Sequence, residues 1–181
     1  MEHEVLCDND WLSLMIMKDE SQGVSGYVYS HEKFCNGTKV ALLPYRQVEG
    51  TIEYLIRDEV TPCWGMNHQK SSTTGSVEDG HTPTEMAAIE LHEEAGYEVP
   101  AESLRPLGTC RGTKHTDNIY HLYTTDLSGV ERGEASGDGS TLEQNASCRW
   151  TQDLTEITFA SDPLLAMLYM RLDHYLRHQN G

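Results

Sequence analysis

Apolar and β-branched residues come in short runs broken by turn residues through the first half of the chain, and such runs predict strands. Glu4–Cys7 and Trp11–Met17 read as two short strands around an Asp8-Asn9-Asp10 turn, and Gly26–His31 as a third. Lys39–Tyr45 predicts a buried central strand, with Pro44 at its end or at a bulge because proline cannot donate to a ladder. Ile52–Arg57 follows a Glu49-Gly50 turn as its hairpin partner, and Glu59 to Thr74 reads as loop. Leu104–Arg111, Ile119–Asp126 and Ala146–Thr151 supply the later strands. Val130–Ser140, rich in Gly, Ser, Glu and Asp, predicts a mobile loop.

A helical period occurs twice. Thr82 is an N-cap, Pro83 stands at the first helical position, Glu85 closes a Thr-x-x-Glu capping box, and Gly96 ends the helix. Ala87, Ala88 and Leu91 fall on an inward face. Ser161 or Asp162, with Pro163, starts a final helix to about Arg177, whose Leu164, Leu165, Leu168, Leu172, Tyr175 and Leu176 share most of one stripe. No internal repeat is found. Strands with one early and one late helix predict an α+β domain, a mixed sheet covered on both faces.

The early helix carries the chemistry. Glu90, Glu93 and Glu94 lie at i, i+3 and i+4, on one face. Like charges so stacked destabilise a helix, and a hard divalent cation between them removes that penalty. The plain alternative is a solvated acidic face, common in a chain of net charge −16. Gly75 and Gly80 leave the approach to the helix free to bend, bringing backbone carbonyls towards the acids.

Charge and cysteine usage narrow the classes. A net charge of −16 argues against sequence-independent nucleic-acid binding, although bound metal and local arginines still admit an anionic small substrate. Cys7, Cys35, Cys63, Cys110 and Cys148 are scattered with no C-x-x-C pair, which favours reduced thiols in a cytoplasm over a disulfide frame or a zinc site. The first residues lack a signal-peptide pattern, and no apolar run is long enough to span a bilayer.

The stretch Gly75–Tyr97 resembles the Nudix box, G-x5-E-x7-R-E-U-x-E-E-x-G-U, where U is a bulky aliphatic residue. Gly75, Glu90, Leu91, Glu93, Glu94 and Gly96 occupy its fixed positions, with Tyr97 at the last aliphatic one. His81 and Ile89 depart from it, standing where that family carries a glutamate and an arginine. The resemblance implies an α/β/α sandwich, a Nudix fold whose loop-helix-loop binds Mg2+ or Mn2+, and hydrolysis of a nucleoside diphosphate linked to another moiety. It implies Glu90 and Glu94 as principal metal ligands, Glu93 as a further ligand or the water-orienting base, and the Thr74 carbonyl as a completing ligand. An arginine normally orients such carboxylates, and Ile89 cannot, so rate and substrate range are put in doubt more than the fold.

The wider layout is similar to the ADP-ribose pyrophosphatase branch of that family, on Asn9-Asp10-Trp11-Leu12, Val40–Pro44, Tyr54–Arg57 and Gly112–His121. It implies residues 1–35 as an N-terminal strand extension that often swaps across a homodimer, before a hydrolase domain over 36–181. It also implies a late-loop glutamate as base, best matched by Glu143, with Glu131 and Glu134 as weaker candidates. Arg57, Arg111, Lys114 and His115 are candidate contacts for phosphate or ribose, and Trp11, Tyr27 and Trp64 are candidate stacking faces. Each has a plain alternative as surface or core. The expectation is a pyrophosphohydrolase acting on ADP-ribose or a nucleotide sugar. Nucleoside triphosphate or dinucleotide hydrolysis, and a non-catalytic nucleotide sensor, are the alternatives.

Overall fold

The computed structural model describes residues 1–137, 139, 142 and 145–178. Eleven strands and three α-helices are found among them. The strands are β1 Glu2–Asp8, β2 Leu12–Asp19, β3 Val24–Glu32, β4 Thr38–Leu42, β5 Tyr45–Val48 and β6 Thr51–Val60, then β7 His68–Ser71, β8 Thr73–Ser76, β9 Arg105–Cys110, β10 Ile119–Thr124 and β11 Ser147–Thr151. The helices are α1 Pro83–Ala95, the short α2 Leu154–Thr158, and α3 Pro163–His178.

The strands make three sheets. β8-β4-β10-β9 is mixed, since β4 and β10 run parallel and the other pairs antiparallel. β11-β6-β5 is antiparallel, with β7 also on β6. β1-β2-β3 forms a separate antiparallel sheet at the N-terminus. It is joined to the rest where the backbones of Ser30 and of His115 and Asp117 exchange hydrogen bonds of 2.9 and 3.3 Å.

Alternation along the central strands explains the layers. Val40 and Leu42 point into one core with Met86, Ala87 and Leu91 of α1, while Ala41 and Leu43 point into a second core with Leu165, Leu168 and Leu172 of α3. β6 divides likewise, Leu55 towards the first core and Tyr54 and Ile56 towards the second. A strand apolar on both faces needs a cover on both faces, and the two helices supply it. This is the expected α+β sandwich.

Two strand readings are corrected. Pro44 lies between β4 and β5 and separates strands of different sheets, so β6 forms its hairpin with Tyr45–Val48 and not with Lys39–Leu42. The segment from Glu59 to Thr74, read as loop, contains the end of β6, β7 and the start of β8. Both new strands, His-Gln-Lys-Ser and Thr-Thr-Gly-Ser, lack apolar side chains, and the hydrophobic pattern therefore gave no sign of them. α2 also carried no sequence signal long enough to read. No helix among the described residues is long and apolar enough to cross a membrane.

Candidate active site

Helix α1 begins and ends as its sequence dictates. The Thr82 hydroxyl accepts from the Glu85 amide at 3.3 Å, and the Glu85 carboxylate accepts from the Thr82 amide at 2.7 Å. Gly96 closes the helix at φ 74°, its amide donating to the His92 carbonyl at 2.8 Å. Leu91 and Ala95 are buried against the first core; Glu93 lies on the far side of the helix, while Glu90 and Glu94 flank the apolar stripe, Glu94 with its side chain almost fully covered.

Gly75 proves to be a strand residue of β8, opposite Val40, and not a loop hinge. Its missing side chain makes room: a Cβ there would lie 1.8 Å from Glu90 Oε1. Only glycine lets the strand and the Glu90 carboxylate approach so closely. Thr74, the preceding residue, pairs with Ala41 in the same ladder and lines an adjacent cavity.

Arg57 comes from β6. Its guanidinium Nη1 stands 3.1 Å from Glu94 Oε1, and the two side chains are only 6% and 8% exposed. Its Nε donates to Glu59 Oε2 at 2.9 Å, while Glu59 Oε1 accepts from the Ser71 hydroxyl at 2.6 Å. Burial alone would lower the Arg57 pKa, but Glu94 and Glu59 outweigh it and hold the group above its ordinary value. The guanidinium is fixed as a cation. Cys148, its cross-strand neighbour, is buried, and burial with help from Glu94 pushes its thiol up to about 11. A neutral thiol therefore sits beside this pair.

Two cavities flank the Arg57–Glu59 link. One, of about 310 Å³, is lined by Arg57, Glu93 and Glu94 together with Ala135, Ser136 and Gly137 of the following irregular segment. That segment is tied to α1 through the Gly137 amide, 3.0 Å from the Glu93 carbonyl. The other, of about 500 Å³, lies beyond Glu59 and reaches Trp64, Thr74, Thr113 and Asp162.

Among the described residues no three acidic, histidine or cysteine side chains converge into a closed metal cage. Glu93 and Glu94 instead share the wall of the smaller cavity with Arg57, and Glu90 lies against Gly75. Mg2+ commonly takes one or two carboxylates and completes its shell with water and substrate phosphate, so a set of few carboxylates beside a cavity fits such a cation. The space kept for Glu90 beside Gly75 fits it too.

Arg57, Glu93 and Glu94 are thus brought to one cavity, while Glu90 lies against Gly75 of β8 and Thr74, next to it, lines the other cavity. Arg111 and Lys114 lie in the exposed loop before β10, where Arg111 donates to the Asp117 carbonyl at 2.7 Å and the Lys114 carbonyl accepts from the Tyr27 hydroxyl. The residues between them, Gly112 and Thr113, reach the larger cavity. Trp11 is 70% exposed, packs edge-on against Phe34, and lines neither cavity. Trp64 does line the larger one. Glu143 lies outside the described residues, and Glu131 and Glu134 are exposed. His81 is exposed in the turn before α1, and Ile89 packs against the first core. Sequence reading missed Glu59, Ser71 and Asp162. Glu59 was within reach of it, two residues after Arg57 and so on the same strand face.

No known family model and no curated protein sequence matches the chain. Solved structures do. An ADP compounds hydrolase superposes with a TM-score of 0.70 at 14% identity, over 99% of this chain and 94% of that one. An Ap4A hydrolase from C. elegans superposes with a TM-score of 0.55 at 19% identity, over 77% of this chain and 97% of that one. At such identities the likeness speaks for the fold alone, an α+β sandwich shared with these two hydrolases.

Proposed function

We propose that the chain is a pyrophosphohydrolase dependent on Mg2+ or Mn2+, cleaving the phosphoanhydride of a nucleoside diphosphate derivative such as ADP-ribose or a nucleotide sugar. The observation that carries this reading is that Glu93 and Glu94 of α1 share a cavity wall with a buried arginine, 3.1 Å from Glu94. The hydrolases of ADP compounds and of Ap4A that share the fold support it.

A divalent cation bound beside these acids supplies charge neutralisation of the phosphates and a more acidic water. Glu90 and Glu94 would hold it, with the Thr74 carbonyl as a further oxygen. Arg57 orients Glu94 through a charge-assisted contact, the service that Ile89 cannot give. Glu93, on the wall of the smaller cavity, orients or deprotonates the attacking water; Glu143 is the alternative base. Arg111 and Lys114 serve phosphate or ribose at the mouth, while Trp11 can stack on substrate only through another copy of the chain. A homodimer formed through β1-β2-β3 would allow that, and this sheet exposes Val5, Leu6, Leu12 and Leu14. Light scattering at micromolar concentration tests it, and a monomer removes Trp11 from the site.

The deciding experiment is a panel of ADP-ribose, nucleotide sugars, nucleoside triphosphates and dinucleoside polyphosphates with each metal, scored for mononucleotide or phosphate release. Release from none of them, with nucleotide binding retained, would leave the sensor reading, which the core-packed Ile89 favours. Preference for a dinucleoside polyphosphate would favour the alternative to which the Ap4A hydrolase likeness points.

A further inference from the structure

The larger cavity has a composition that selects its occupant. Its lining combines the indole of Trp64, 48% exposed at the β6–β7 turn, with the hydroxyls of Thr61, Ser71, Thr113 and Tyr120 and the carboxylates of Glu59 and Asp162. None of its lining residues, among those described, is lysine, arginine or histidine. The nearby Arg111 guanidinium is turned to the Asp117 carbonyl, and that of Arg57 lies beyond Glu59 against Glu94. A phosphate entering here would find hydroxyl donors but would face the Glu59 and Asp162 carboxylates with no cation in the lining to neutralise it. The volume of about 500 Å³ lies within the range of small-molecule sites.

The walls are also held in place. Asp162 is 3% exposed, accepts from the Ser72 amide at 2.9 Å and the Ser72 hydroxyl at 2.7 Å, and caps α3 through the Leu164 amide at 2.8 Å. Glu59 is pinned between Ser71 and Arg57, yet its side chain keeps 26% exposure. Pre-set acceptors of this kind suit the hydroxyls of a vicinal diol, which donate, and an exposed indole suits a base, which stacks.

We propose that this cavity is the subsite for an uncharged nucleoside, with the base on Trp64 and the ribose diol donating to Glu59, and that it rejects a second anionic group at that end. The inference rests on the hydrolase reading for its place in the reaction, because Glu59 links the cavity through Arg57 to Glu94. It makes the favoured substrate one whose nucleoside carries no phosphate on its sugar hydroxyls.

Calorimetric titration in EDTA with adenosine, guanosine, cytidine and uridine tests the subsite without the metal. At least one nucleoside should bind saturably, and its 3′-phosphate should bind about tenfold more weakly or worse. Trp64→Leu should weaken the nucleoside about tenfold, the scale of one base–aromatic stack. Thr113→Arg, which brings a cation to the rim, should narrow or reverse the discrimination against the 3′-phosphate and serves also if Trp64→Leu fails to fold. Binding by no nucleoside, binding unchanged in Trp64→Leu, or a 3′-phosphate that binds as well as its nucleoside would each overturn the assignment. If nucleosides fail to bind while nucleotides are hydrolysed, the subsite falls and the hydrolase stands; binding without turnover in Mg2+ or Mn2+ gives the reverse.

Discussion

Two arginines on neighbouring strands each reach a glutamate on a helix, and they do it in opposite ways. Arg57 of β6 meets Glu94 of α1 with both side chains under 10% exposed. Arg149 of β11, paired in register with Ile56, meets Glu156 of α2 with side chains 39% and 27% exposed. A buried pair loses more hydration than its attraction commonly restores, whereas a half-exposed pair loses little and contributes little. The fold gains from Arg149–Glu156 a modest clasp between β11 and α2. For Arg57–Glu94 stability is a poor explanation, and the chemistry of the adjoining acids is the better one.

The sharpest way to break the comparison is to neutralise each glutamate. Glu94→Gln should lower turnover about a thousandfold, on the scale of removing a principal electrostatic group from a reacting centre. It should also abolish the rise in thermal midpoint that Mg2+ or Mn2+ gives the wild type. Glu156→Gln should leave both unchanged. Equal turnover in the two variants would place the chemistry elsewhere.

The second test exchanges each arginine for methionine, which keeps most of the aliphatic stem. Arg57→Met leaves Glu94 and Glu59 without their shared cation and should cost about 3 kcal/mol in denaturant unfolding. Arg149→Met should cost about 1 kcal/mol or less. If the two losses match, burial does not distinguish the pairs. Arg57→Lys gives a finer reading: it preserves charge but not the two-pronged geometry, so affinity for Mn2+ should fall more than stability does.

The helix end of this contrast was legible in the sequence and the strand end was not. Thr82, Pro83, Glu85 and Gly96 are local signals, and the spacing of Glu90, Glu93 and Glu94 is a property of any α-helix, so α1 could be placed to the residue. That Arg57 turns to Glu94 depends on β6 coming within reach of α1, which packs on β4 and β8, a tertiary fact no periodicity carries. The larger cavity was hidden for the same reason. Its wall joins Ser72 to Asp162, ninety residues apart, across strands too polar to be read. Trp11 and Trp64 looked alike as candidates, and only the fold separates one at an exposed turn from one on a cavity.

Gly75 refines the acid face further. Gly75→Ala would bring a methyl to within 1.8 Å of the present Glu90 Oε1 position, and Glu90 must move. Metal affinity, followed by Mn2+ titration, should fall about tenfold to a hundredfold, the effect typical of disturbing a ligand's support. Unchanged affinity would remove Glu90 from the metal site while leaving Glu94 in it.

The smallest effect belongs to the exposed pair and is visible in pH. Arg149, then the Thr151 hydroxyl, hold the Glu156 carboxyl down at about 2, against 4.5 for the free group. A folded pKa below the unfolded one stabilises the native state at pH values above 4.5, and that contribution disappears as pH falls through about 2. Wild type should therefore exceed Glu156→Gln by about 1 kcal/mol at neutral pH, given the solvent screening of so open a pair. The gap should narrow between pH 4.5 and about 2, because acid protonates the wild-type carboxyl and glutamine has nothing to lose. Measured by urea unfolding across that range, parallel curves would mean that the Arg149–Glu156 contact holds no charge-dependent stability, and the clasp would then be only the bond from Thr151.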